Sequence, residues 1–236
     1  MILNTRFVNA FKTTALIVAG SAMLAACGGD AKPTAGQADG RTAFEKADDM
    51  ALGDINAPIT VVEYASVTCG HCANWDATVW PDFRKTYVDT GKVRYVFRPF
   101  PTAPVELANA GHLLAACAAD DKYFDLIHAQ MRRQRDILSS SDIRGEYVAL
   151  AKSAGMNESE FEACMSDEEK IARLDRVVQE GFDMGVTGTP SFFVNGTKAK
   201  VYDMESFAEY FAEITDGEVG SKPEASEEPS DKDAGH

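Results

Sequence analysis

Residues 66–75 read SVTCGHCANW, and this stretch decides how the rest of the chain is interpreted. Cys69 and Cys72 stand two residues apart, with Gly70 and His71 between them. Such a pair can hold a metal, staple a turn or exchange electrons with other thiols. The choice depends on the secondary structure around the pair and on the remaining cysteines.

The segments around the pair predict a strand, a helix and a second strand. Pro58 to Ser66 is rich in β-branched residues, which is typical of a strand. Residues 72–89 repeat large apolar side chains at every fourth position, which indicates a helix, and Pro81 inside it predicts a kink. Lys92 to Arg98 alternates charged and apolar residues as a strand does. We therefore expect a βαβ unit with the cysteine pair at its first turn.

The segment that follows predicts helices and no strand. Five helices are expected within a helical insertion at about 104–185. The first four cover residues 104–119, 122–135, 142–154 and 159–165. The fifth is long and starts at a capping box over residues 166–169. The strand pattern returns at 189–194 and 198–202, with a hairpin turn at Asn195-Gly196, and Asp203 caps a final helix. This order predicts an α/β fold with a helical subdomain inserted after the first βαβ unit.

Neither metal binding nor a purely structural disulfide explains the Cys69–Cys72 pair well. A zinc site usually needs four ligands, and the sequence has no second CxxC and no HxxxH. A disulfide across two intervening residues closes a loop too small to restrict the unfolded chain much. Redox chemistry is the better interpretation.

The redox interpretation has a physical basis at the helix N-terminus. The helix dipole and the free backbone N–H groups stabilise an anion at Cys69, and His71 can add positive charge or a hydrogen bond. We expect these effects to lower the pKa of Cys69. Cys72, one turn into the helix, is expected to be more buried and to resolve mixed disulfides, while Gly70 leaves room for a substrate backbone.

Together with Gly188-Thr189-Pro190, these motifs carry a family resemblance. The segments VVEYASVTCGHC, VRYVFRPFP and GVTGTPSFFVNG, within about Asp54 to Ile214, make the chain similar to the DsbA-like oxidoreductases of the thioredoxin superfamily. The resemblance implies a thioredoxin fold, with Pro190 as a cis-proline beside the sulfurs and the Thr189 backbone pairing with substrate. It also implies that Glu63 is a buried acid that moves protons for Cys72; the alternative is a solvated strand residue. Gly-His between the cysteines is found in protein disulfide isomerases, which leaves the redox potential open.

The resemblance also bears on the cysteines of the helical insertion. Some DsbA-like proteins carry an extra disulfide there, so Cys117 and Cys164 are expected to pair; the alternative is two buried thiols. His112 and His128 are interpreted as ordinary helix residues rather than ligands.

The ends of the chain predict export and membrane attachment. Residues 1–26 have the basic start and the apolar stretch of a signal peptide, and LAAC at 24–27 resembles the lipobox of bacterial lipoproteins, which implies a lipid on Cys27. Residues 27–46 are expected to be a flexible linker, and residues 47–216 the folded domain. Residues 217–236, with six acidic side chains and two lysines, are expected to be a disordered tail.

The composition and the motifs converge on one function. The chain has 236 residues and a net charge of −14, which argues against nucleic acid as a partner. We expect a monomer, lipid-anchored at the periplasmic face of the inner or outer membrane, that oxidises cysteine pairs of exported proteins and is recycled by a membrane redox partner. No metal or organic cofactor is expected. The alternatives are an isomerase or reductase of the same fold, or a non-enzymatic metal-handling lipoprotein that uses Cys69, His71 and Cys72 as soft ligands.

Overall fold

The computed structural model describes residues 41–219. Within this range one five-stranded sheet has the order β1-β3-β2-β4-β5. Its parallel pair is β2 with β3, and the other neighbours are antiparallel. The strands are β1 Met50–Leu52, β2 Ile59–Ala65, β3 Val93–Pro99, β4 Ser191–Val194 and β5 Thr197–Ala199.

The cysteine pair lies at the end of the central strand of this sheet. Every residue of β2 is buried, because β3 and β4 flank it and both faces of the sheet are covered. The helix α1, Gly70–Thr78, follows β2 and leads to the parallel strand β3. The predicted α/β class and the βαβ unit are therefore confirmed.

The helix expected over residues 72–89 is broken rather than kinked. It divides into α1, α2 at Trp80–Phe83 and one π-helical turn at Arg84–Val88. The break falls at Val79 because Pro81 has no N–H for the bond to the preceding turn and its ring crowds the carbonyl there. The apolar side chains spaced by four are nevertheless all buried in one cluster: Trp75, Val79, Phe83 and Tyr87.

The helical segment between β3 and β4 contains one more α-helix than the sequence predicts. The residues expected to form a helix over 122–135 fall in two helices separated at Arg133. The last helix is capped by Asp167 rather than Ser166, because the Asp167 side chain accepts the hydrogen bond from Lys170 N–H. The helices are α3 Val105–Cys117, α4 Tyr123–Arg132, α5 Gln134–Ser139, α6 Ile143–Ser153, α7 Glu158–Met165 and α8 Glu168–Asp183.

The sheet separates two apolar cores. On one face the side chains of β2 and β3 pack with Trp75 of α1 and Leu114 of α3, and with Phe207 of the last helix, α9, at Met204–Ile214. On the other face Val62 of β2 and Val96 of β3 pack with Val177 of α8. Burial of both faces fixes the end of β2, and with it the cysteine turn.

Residues 41–46 were expected to belong to the flexible linker, but they pack against the sheet. Glu45 is 2% exposed and accepts two hydrogen bonds from Arg94 on β3. Just after them, Asp49, whose side chain is 1% exposed, pairs with Arg98 of the same strand. Composition could not reveal this, because the acids and the arginines that hold the segment are far apart in sequence.

The C-terminal boundary also differs from the prediction. Asp203 caps α9 as expected. The tail was expected to begin at residue 217, yet Val219 is only 5% exposed and belongs to the main core. The signal peptide, the lipidation of Cys27, the linker before residue 41 and the tail after residue 219 lie outside the described residues.

Candidate active site

The turn between β2 and α1 presents one reachable sulfur and one protected sulfur. Cys69 is the N-cap of α1, and its sulfur accepts a hydrogen bond from the backbone N–H of Cys72 over 3.4 Å. Cys69 is partly exposed, whereas Cys72 is completely buried. Both are free thiols in this structure. An outside thiol can therefore approach Cys69 and not Cys72.

Polar contacts from distant segments hold this turn. The hydroxyl of Thr68 donates to the carbonyl of Thr102 over 2.8 Å, and the Thr102 N–H donates to Ser66 Oγ over 3.1 Å. From the helical segment, Gln134 Nε2 donates to the carbonyl of Cys69 over 3.0 Å. The position of Cys69 is thus set by the loop after β3 and by α5, and not only by its own strand and helix.

Hydrogen bonding makes Cys69 an acidic thiol. The bond with the Cys72 thiol, followed by contacts with Thr189 and with the backbone N–H groups of Cys72 and His71, lowers the pKa of Cys69 to about 5, although partial burial opposes this. At neutral pH the sulfur is then mostly thiolate. The thiolate is both the attacking form and the better leaving group in disulfide exchange.

His71 contributes through its backbone. Its side chain is exposed, and its N–H is the group that helps to stabilise the Cys69 sulfur. Its carbonyl accepts a hydrogen bond from the Tyr202 hydroxyl over 3.2 Å. The expected contribution from the charge of its ring remains a prediction.

Glu63 lies inside the protein near the protected sulfur. It is 2% exposed, which excludes the alternative of a solvated strand residue. The Tyr95 hydroxyl donates a hydrogen bond to it. Burial raises the pKa of Glu63 to about 8, with smaller effects of the negative charges on Asp76 and Cys69, while the Tyr95 bond acts in the opposite direction. Burial also raises the pKa of Cys72, and a negative charge on Glu63 adds to this effect.

Two residues near this acid were missed by the sequence analysis. Asp76 is buried on α1, four residues after Cys72, and contacts Nδ1 of His128. The His128 ring stacks on Trp80, with centroids 4.9 Å apart. The spacing of four after Cys72 is the signal that could have identified Asp76, because it places both side chains on one face of the helix. His128 was interpreted as an ordinary helix residue.

The segment Thr189-Pro190 faces the reachable sulfur across the turn. The Thr189–Pro190 peptide bond is cis. The carbonyl oxygen of Thr189 lies 3.3 Å from Cys69 Sγ. β4 begins next, at Ser191, which pairs with Tyr64 near the end of β2. The pairing of the Thr189 backbone with a substrate remains a prediction.

Cys117 and Cys164 form a disulfide between α3 and α7. The S–S distance is 2.03 Å and the two Cα atoms are 6.0 Å apart. Cys164 is buried next to Leu113 and Leu174. The disulfide joins two helices of the helical segment and does not involve Cys69 or Cys72.

Within residues 41–219, no three His, Cys, Asp or Glu side chains are grouped so that they could hold a metal ion. In the same range, no helix combines the length and the apolar character that crossing a bilayer requires.

A β2–α1–β3 unit with a CxxC turn, faced by a cis-proline at the start of the next strand, defines a thioredoxin-fold protein with a dithiol site. The family model described as thioredoxin matches residues 45–213. The chain therefore belongs to the thioredoxin family.

Similar proteins of known structure include a DsbA protein and BdbD. The crystal structure of Wolbachia pipientis alpha-DsbA1 has a TM-score of 0.63 and 26% identity, over 74% of this chain and 92% of that chain. BdbD from Bacillus subtilis, in its oxidised form, has a TM-score of 0.65 and 20% identity, over 72% of this chain and 94% of that chain, which supports the fold.

Among sequence relatives, a Rickettsia bellii protein named protein-disulfide oxidoreductase is 34% identical over 164 residues. The match covers 68% of this chain and 62% of that protein. The chain thus spans less than two thirds of the length of the rickettsial relatives that it matches.

Proposed function

We propose that this protein is a DsbA-like protein-disulfide oxidoreductase that oxidises cysteine pairs of exported proteins. The observation that carries the proposal is the asymmetry of the dithiol. Cys69 is reachable and its pKa is about 5, whereas Cys72 is buried, has a raised pKa and lies near the acid Glu63. A stable thiolate at Cys69 favours the reduced enzyme, and this makes the oxidised enzyme a good acceptor of electrons.

The reaction consists of two thiol–disulfide exchanges. A substrate thiolate attacks Cys69 in the Cys69–Cys72 disulfide, the S–S bond breaks, and Cys72 leaves as a thiolate that takes up a proton. The second substrate thiolate then attacks the substrate sulfur of the mixed disulfide, and Cys69 leaves as a thiolate. The substrate loses two electrons and gains a disulfide, and the enzyme gains the two electrons as a dithiol.

Glu63 is the group that handles the proton of Cys72 in this scheme. Its pKa of about 8 leaves it mostly protonated at neutral pH, so it can donate a proton to Cys72 when that sulfur leaves. In the reverse direction its carboxylate can accept the proton when Cys72 attacks. No metal or organic cofactor is needed for either step.

The setting is part of the same proposal. The signal-like residues 1–26 and the lipobox-like sequence at Cys27 support an exported protein that is lipid-anchored to a membrane. In such an oxidising compartment a membrane redox partner would remove the two electrons and restore the disulfide. The resemblance to DsbA structures supports this setting.

The reduction potential of the Cys69–Cys72 pair tests the direction of electron flow. The purified protein is equilibrated in glutathione buffers, and the fraction of free thiol is measured. DsbA lies near ~−120 mV, protein disulfide isomerase near ~−180 mV and thioredoxin near ~−270 mV. We expect a value between about −120 and −180 mV. A value near about −270 mV would instead identify a reductase that a partner supplies with electrons.

A further inference from the structure

An open groove leads away from Cys69 between α1 and the α4–α5 segment, with a volume of about 760 Å³. Small residues of α1 form one wall, and longer side chains of α4 and α5 form the other. A Cβ atom placed on Gly70 would have no neighbour within 4 Å, so the groove is open next to the reachable sulfur. The residues that matter below are Gly70, Ala73 and Ala77 on the first wall and Arg132, Arg135 and Leu138 on the second.

The second wall is fixed relative to the reactive turn. Gln134 lies between the two arginines in sequence and also lines the groove. Its side-chain amide donates to the carbonyls of Val67 and Cys69 over 2.8 and 3.0 Å. Any chain bound to Cys69 and running along the groove therefore passes the arginine-bearing wall.

The charge of this wall contrasts with that of the protein, which is −14 overall. Arg132 and Arg135 are exposed, and neither forms an ion pair with any residue between 41 and 219. The neighbouring Arg133 is paired with Glu146, and Asp136 is the acidic residue on the same wall. Two available guanidinium groups against one carboxylate leave the wall positive, beside the sulfur that receives substrate.

We propose that this groove binds the segment of the substrate polypeptide next to its reacting cysteine, and that Arg132 and Arg135 favour segments with carboxylate side chains. The proposal rests on the proposed function, because it assigns the substrate class of the same site. A guanidinium group binds a carboxylate through two parallel hydrogen bonds. The small side chains of Ala73 and Ala77 leave space for a backbone, and Leu138 offers an apolar contact.

Oxidation of matched peptides by the full-length protein tests the proposal. The peptides contain two cysteines and differ only in whether Glu, Gln or Lys flanks them. We expect the KM for the Glu peptide to be about three- to ten-fold below that for the Gln peptide at low salt, with similar kcat, because exposed ion pairs contribute modestly and act on binding. The difference should vanish near about 1 M salt, where the Debye length is about 3 Å.

Variants of the two arginines locate the effect. R132Q/R135Q should lose the preference for the Glu peptide, so that its KM values for the Glu and Gln peptides become equal. R132E/R135E should prefer the Lys peptide. The control is K85Q/K152Q, which removes the same charge from exposed lysines that do not line the groove and should behave as wild type.

Three results would overturn the assignment. The first is equal KM values for the three peptides, and the second is a preference that persists in R132Q/R135Q. The third is a KM for the Glu peptide that drops when Glu224, Glu227 and Glu228 are changed to Gln in the full chain, which would make the chain's own acidic segment the occupant. If no peptide is oxidised at all, the proposed function itself has failed.

Discussion

Tyr95 on β3 donates a hydrogen bond to Glu63 on β2, and both side chains are buried. The bond stabilises the carboxylate, while burial disfavours it more strongly, so the pKa of Glu63 is about 8. Burial, followed by the charge on Glu63, also raises the pKa of Tyr95. The Glu63 carboxyl group can therefore gain or lose a proton near neutral pH. It lies near Cys72, whose thiol gains or loses a proton in the proposed reaction.

We predict that E63Q slows the steps in which Cys72 gains or loses a proton. General acid–base catalysis typically contributes about 10²–10⁴-fold, and the loss should lie towards the lower end if water partly substitutes. The measurement is the rate at which Cys72 resolves a preformed mixed disulfide, followed against pH. The wild-type profile should show an inflection near pH 8 that E63Q lacks.

Y95F is the companion variant for this experiment. It retains the carboxyl group and removes the bond that lowers its pKa, so the inflection should move to higher pH. An inflection near pH 8 in E63Q would show that another group carries the proton.

The same residue should make stability fall as pH rises. Folding raises the pKa of Glu63 from 4.5 to about 8, so the unfolded chain releases the proton first, and stability is lost as pH increases from 4.5 through 8. The loss at pH 7 is about 3 kcal/mol relative to acid conditions. Because the buried His112 acts in the opposite direction over part of this range, the test compares the free energies of unfolding of reduced wild type and reduced E63Q at pH 4.5 and 7. The stability of E63Q relative to wild type should increase by about 3 kcal/mol between the two pH values; an unchanged difference would contradict the assignment.

His112 should have the opposite effect at acid pH. It is 3% exposed in contact with Phe97, its ring nitrogens have no hydrogen-bond partner among the described residues, and burial lowers its pKa to about 3. The unfolded chain therefore binds the proton first, so stability is lost as pH falls below 6.5. The loss should reach about 3 kcal/mol at pH 4. H112L should lack this part of the acid loss and keep the same slope above pH 7; retention of the full acid loss would point to other groups.

Removal of the Cys117–Cys164 disulfide should destabilise the fold. The bond joins residues 47 positions apart, and the loop-entropy relation gives about 4 kcal/mol for a loop of that size. The comparison is best made in a C69S/C72S background, where C117A/C164A differs in one bond only. Unfolding by denaturant measures the difference. A loss below about 1 kcal/mol in the free energy of unfolding would mean that α3 and α7 keep their packing without the disulfide.

Asp49 should behave as a structural residue although it lies at the edge of the segment expected to be flexible. Its carboxylate and Arg98 are 1% and 3% exposed, and D49A leaves the arginine charge buried without that partner. The expected cost is about 3–5 kcal/mol in the free energy of unfolding. D89A, which breaks the exposed Arg84–Asp89 pair, is the control and should cost less than about 1 kcal/mol. Equal effects of the two variants would contradict the packing of this segment.

Features encoded in neighbouring residues could be predicted from the sequence. The β-branched residues before Cys69, the apolar residues after it at steps of four and the alternation of Lys92 to Arg98 depend only on local backbone periods. These periods predict the βαβ unit and the position of Cys69 and Cys72 at its first turn. The resemblance to which Gly188-Thr189-Pro190 contributes added the expectation of a cis-proline beside the sulfurs.

Long-range packing decided what these residues can do. The contacts of Glu63 with Tyr95, of Asp76 with His128 and of Gln134 with the active-site turn join segments that are 32 to 65 residues apart. A pKa also depends on how completely a group is removed from water, and distant segments decide this for Glu63 and Cys72. The sequence by itself predicted the dithiol and the acidity of Cys69, which depends largely on groups of its own helical turn. Only the tertiary structure decided how far Cys72 and Glu63 are removed from water, because the segments that cover them are distant in sequence.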